Sequence, residues 1–150
     1  MARLTIKEKE YEGKCTFKFD RLADEKYSEK DEKGNVTGGF MSLYMNLLQF
    51  SNKHLVAFWD CALAYLGKDK PSIDDIEEAI EARIEADGGT ELLFKEAFQS
   101  VDQSGFFRKQ ASNFWKSLEP MKNSGKTAEE KTSNLKMYNM MQDSRKELTE

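Results

Sequence analysis

The chain of 150 residues holds one histidine, His54, and two cysteines, Cys15 and Cys61. A histidine-based zinc site or a Ser-His-Asp relay cannot be assembled from so few groups. The cysteines lie far apart, form no metal-ligand pair, and read as buried thiols of a reducing compartment. The segment LFKEAFQSVDQSGFF imitates the entry helix and loop of a calcium-binding EF-hand. A loop starting at Asp102 would need glycine at its sixth position and a bidentate glutamate at its twelfth, and Phe107 and Asn113 stand there instead. Asp74, Asp75, Glu77, Glu78 and Glu81 spread around a helix rather than converge, which describes a solvated face and not paired catalytic carboxylates. Gly38-Gly39 and Gly88-Gly89 lack the spacing and the lysine of a phosphate loop and read as hinges. No catalytic, cofactor or metal residue is nominated, and the chain is expected not to be an enzyme.

Aromatic side chains are the remaining candidates for function. FFRKQASNFWKSL, from Phe106 to Leu118, puts four aromatics on a basic helix. Two adjacent aromatics on a helix cannot share one core direction, so at least one of Phe106 and Phe107 is expected to meet another chain. Aromatic residues and arginine are enriched in interface hot spots, which nominates Phe106, Phe107, Arg108, Phe114 and Trp115 as partner contacts. Tyr138 and Met141, on one face of a transient helix, are secondary candidates. Phe58, Trp59, Phe94 and Phe98 fall on regular stripes and belong to the core.

These residues must be placed by a mainly α (α+β) fold. A short N-terminal β-hairpin is predicted from the alternation of Leu4 and Ile6, a turn at Lys7 to Lys9, and renewed alternation through Cys15, Phe17 and Phe19. A helix follows from about Asp20 to Tyr27, then an exposed glycine-rich loop through Gly39. Phe40 to Leu48 and Leu55 to Leu66 form an antiparallel helical pair joined at Ser51 and Asn52, with Gly67 closing the second helix. In KPSIDDIEEAIEARIE, Ser72 is a cap with Asp75 three residues on, and Ile73, Ile76, Ile80 and Ile84 form one stripe. That helix ends at Gly88, and Thr90 caps another built on Leu93, Phe94, Ala97, Phe98 and Val101.

The result is a single domain over residues 1–118, a hairpin packed with a five- or six-helix bundle. Residues 119–150 are expected to be a polar C-terminal tail, disordered or partly helical, with Thr127 and Glu130 at capping-box spacing. A net charge of -4 without a basic cluster argues against nucleic acid. No apolar run of signal-peptide length follows Arg3 and Lys7, and Ser51 to His54 split the apolar centre into pieces too short to span a bilayer. The expected location is therefore where the chain is made.

The order of these motifs resembles the tail assembly chaperones of long-tailed bacteriophages and prophages. The resemblance runs from LTIKEKEYEGKCTFKFDRLADEKY through GKDKPSIDDIEEAIE to LLFKEAFQSVDQSGFFRKQ, about Leu4 to Leu118. It implies a non-enzymatic protein of the host bacterial cytoplasm that keeps the tape measure protein soluble and helps tail-tube subunits assemble around it. It also implies absence from the mature virion and, for a frameshift-extended form, contact with the tail-tube protein. Homo-oligomerisation stays open. The rival classes are a small acidic adaptor or inhibitor of a host protein and a structural tail completion protein.

Overall fold

The computed structural model describes residues 1–150. Strand β1 (Arg3–Ile6) pairs antiparallel with β2 (Lys9–Glu12), Leu4 opposite Tyr11 and Ile6 opposite Lys9. Leu4 and Ile6 are buried while Arg3 and Thr5 face out, the period of two that a half-buried strand requires. The turn consists of Lys7 and Glu8, both at positive φ, 49° and 70°.

The second strand is shorter than its alternation predicts. It ends at Glu12, and Phe17 and Phe19 lie on the first turn of α1 (Phe17–Tyr27). Thr16 caps that turn, its hydroxyl accepting from the Phe19 amide at 3.2 Å, and Asp20 suits the positive end of the helix. Phe19 and Ala23, four residues apart, share the buried face, so helical spacing prevails over the period of two read from Cys15, Phe17 and Phe19.

The expected loop contains a small exposed hairpin, β3 (Glu29–Lys30) with β4 (Val36–Thr37). The Asp31 carboxylate organises its turn by accepting from the amides of Lys33 and Asn35, each at 2.9 Å. Gly39 then opens α2 (Gly39–Leu48) against the α1 backbone, where a Cβ would overlap the Ala23 carbonyl group. The helical pair closes with α3 (Asn52–Ala62), which ends earlier than its stripe suggests; a 3-10 turn (Ala64–Asp69) carries Gly67 at φ 60°.

Helix α4 (Ile73–Asp87) has the predicted start and stop: Ser72 Oγ accepts from the Asp75 amide at 3.1 Å, and Gly88 is left-handed. Ile76 and Ile80 are buried, with Ile84 packed partly against the core. Thr90 precedes α5 (Glu91–Gln103) but makes no side-chain cap bond. Its stripe of Leu93, Phe94, Ala97, Phe98 and Val101 is buried throughout.

Two further helices complete the chain. Helix α6 spans Arg108–Leu118, and a 3-10 turn (Glu119–Asn123) leads to α7 (Ala128–Thr149). The segment expected as a polar tail thus forms a 22-residue helix. Thr127 Oγ1 accepts from the Glu130 amide at 3.1 Å, while Glu130 reaches back to the Lys126 amide at 2.6 Å. Its composition is too polar for a core of its own, but Leu148 joins the common core, which supplies the apolar contact the tail lacks by itself.

Candidate partner interface

The aromatics nominated as outer contacts are mostly turned inward. Phe106 and Phe107 precede α6 rather than ride on it, in a turn where Ser104 Oγ accepts from the Phe107 amide at 3.1 Å. The two rings meet edge to face at 4.8 Å, Phe107 on the core side and Phe106 outside it. Phe107 is fully buried, stacked on Phe40 at 4.4 Å and edge-on to Phe19 at 5.3 Å. Phe106 is half-buried against Phe17 at 4.9 Å, and Phe17 is 70% exposed. Arg108 is exposed.

Trp115 is buried and Phe114 is half-buried, edge-on to Tyr44 at 5.6 Å. Tyr138 is buried beside the 3-10 turn, its hydroxyl donating to Glu119 Oε1 at 3.1 Å and its ring beneath Lys122 Nζ at 4.9 Å. Met141 is packed partly against the core. Phe107 is thus a core support in this conformation, and only Arg108 of the seven candidates is exposed.

A buried polar seam, absent from the sequence reading, joins four helices. Tyr44 on α2 donates to Asp102 Oδ1 on α5 at 2.5 Å, and Trp115 Nε1 on α6 donates to the Tyr44 hydroxyl at 2.7 Å. Arg145 on α7 donates to the same Asp102 oxygen at 3.3 Å and places its guanidinium 5.0 Å from the Trp115 ring centre. Burial, with the bond to Asp102, pushes the Tyr44 hydroxyl well above the ordinary phenol range, so it stays a donor. The one hint in the sequence is an acid, Asp102, beside Phe98 and Val101 on an apolar stripe. Its partners come from remote segments that no spacing connects.

Helix α7 runs antiparallel along α5, held by three ties on one face of α5. Lys95 Nζ donates to the Glu150 carbonyl at 2.8 Å, Gln99 Nε2 to the Leu148 carbonyl at 3.0 Å, and Asp102 accepts from Arg145. The first two satisfy carbonyls of the last helical turn, which have no partner within the helix. An open notch of about 820 Å³ lies between α5, α6 and α7, with Gln103, Arg108, Gln142 and Lys146 among its walls. On the outer surface of α7, Met137 and Met140 are 53% and 68% exposed.

Other charged groups hold the body together. Asp60 on α3 is fully buried and accepts from Lys26 Nζ at 2.8 Å, Tyr27 hydroxyl at 2.7 Å, and Lys70. Arg83 joins Asp87 and Glu96 and donates to the Arg3 carbonyl at 3.2 Å, while Glu96 accepts from the Arg3 amide at 3.4 Å. Burial raises the Cys15 thiol to about 11 and pushes Cys61 up as well, so both are poor nucleophiles. No helix is long and apolar enough to cross a membrane.

Internal ion ties, a helical body and apolar side chains exposed on α1 and α7 together describe a small helical protein. The family model of phage tail assembly chaperone proteins matches residues 3–116, and the chain belongs to that family, which is not a class of enzymes. No curated protein and no solved structure matches the chain.

Proposed function

We propose that this phage tail assembly chaperone binds the tape measure protein, covers its apolar helical surface and helps recruit tail-tube subunits. The observation that supports this reading most is the apolar surface left uncovered on a highly charged body: Phe17 beside Phe106, and Met137 with Met140 on α7. Methionine side chains adapt to varied helical partners, and several weak copies along one long chain act together. In this reading Phe106, Arg108, Phe114, Trp115, Tyr138 and Met141 border the partner site, and Phe107 supports it from the core. The work is done in the host cytoplasm, the mature virion lacks the protein, and a frameshift-extended form contacts the tail-tube protein.

Co-expression with a tape measure fragment tests the reading. Wild type keeps the fragment soluble, whereas Phe17→Asp with Phe106→Asp, or Met137→Asp with Met140→Asp, lets it precipitate while the variant itself remains folded and monodisperse. Equal solubilisation by both double variants would overturn it. Phe107 is unsuited to such a test, because a carboxylate there would disrupt the core itself.

A further inference from the structure

We propose that α7 is a displaceable strap lying in a groove that receives an amphipathic partner helix of the same chemistry. The groove is built by α2, α5 and the 3-10 turn Glu119–Asn123 that seats Tyr138, with Trp115 of α6 at its side and the Asp102 carboxylate in its floor. It rests on the binding role proposed above and adds to it a second site, separate from the exposed Phe17 and Met137 surfaces, together with a partner type.

Four observations converge. Only Tyr138 and Leu148 among the 22 residues of α7 are buried, whereas α3, half as long, buries eight. The matched family unit stops at residue 116, before the strap begins. The connection contains Gly125 at φ 126°, and a Cβ there would press on the backbone of Glu130 and Lys131, so the hinge conformation depends on glycine. Finally, the notch between α6 and α7 leaves one flank of the strap unsealed.

The groove also states what it accepts. Tyr138, Met141, Arg145 and Leu148 recur at spacings of three and four, the pattern of a helix anchored along one side. When α7 lifts, Tyr44 still donates to Asp102 and Trp115 still donates to Tyr44, so the receptor face keeps its order. The carboxylate of Asp102, 6% exposed, loses its cation in that event. A replacement helix therefore carries an arginine or lysine at the third anchor and aliphatic or aromatic residues at the others. The strap competes with it intramolecularly, at the effective concentration set by a short linker.

The probe is a labelled peptide of residues 126–150, offered to the full chain and to full-length Arg145→Ala with Leu148→Ser. The strap-weakened chain captures the peptide at least tenfold more tightly than wild type, and a peptide bearing the same two substitutions binds neither. In wild-type protein, hydrogen exchange of α7 runs at least tenfold faster than that of α3 and α5, and this arm does not depend on the variant folding. Equal protection of α7 and α3 overturns the proposal, as does a folded strap-weakened chain that ignores the peptide. Because no tail protein enters either measurement, failure to bind a tape measure fragment would count against the proposed partner and leave the strap standing.

Discussion

Asp60 shows how one side chain can hold three segments. Burial alone would raise its carboxyl, but the donors Lys26, Lys70 and Tyr27 outweigh that and hold it below the ordinary aspartate range. Its contribution is therefore complete above the unfolded value near ~3.9 and is lost as pH falls through the lower folded value. Asp60→Asn is expected to lower stability by about 3 kcal/mol in urea denaturation at pH 7, and to flatten the loss of stability that wild type shows below about pH 4. Nothing in the local sequence marks this residue, since WDCA reads as apolar helix and the lysines lie on other segments. The same holds for the Tyr44–Asp102–Arg145 seam. Of the adjacent pair Phe106 and Phe107, the fold buries Phe107 and leaves Phe106 partly accessible, a choice between two neighbours that spacing alone does not make.

At the level of elements, the helices from α2 to α5 were legible because long apolar stripes and the Ser72 cap leave one solution for each. Short runs were not. Cys15, Phe17 and Phe19 satisfy a period of two over too few residues to compete with the Thr16 cap, and although the Thr127–Glu130 spacing marks where α7 starts, its docking along α5 rests on contacts that composition does not encode. The Lys7–Glu8 turn needs positive φ at both positions, for which neither residue is suited. Glu8→Gly, which leaves the Lys7–Asp75 ion pair intact, is expected to add roughly 1 kcal/mol, read as a higher urea midpoint with an unchanged slope. Gly39→Ala should act in the other direction. A methyl group driven into the Ala23 backbone separates α1 from α2 and is expected to cost about 3 kcal/mol, visible as a lowered melting temperature.

Across the whole molecule, β1 and the middle helices α4 and α5, distant in sequence, meet through Arg83 and Glu96. Together they supply the outer edge of β1 with a donor and an acceptor, as a neighbouring strand would, and so tie the hairpin to α4 and α5. Arg83→Ala is expected to cost roughly 2 kcal/mol and to speed amide exchange in β1 before that in α3. This tie also dictates an order of events on the ribosome. Arg3 precedes the two side chains that bind its backbone by 80 and 93 positions, so Arg83 and Glu96 are translated well after it. Strand β1 must wait, edge open, until α4 and α5 have been translated. A tail assembly chaperone thus passes through its own synthesis with a strand edge unprotected.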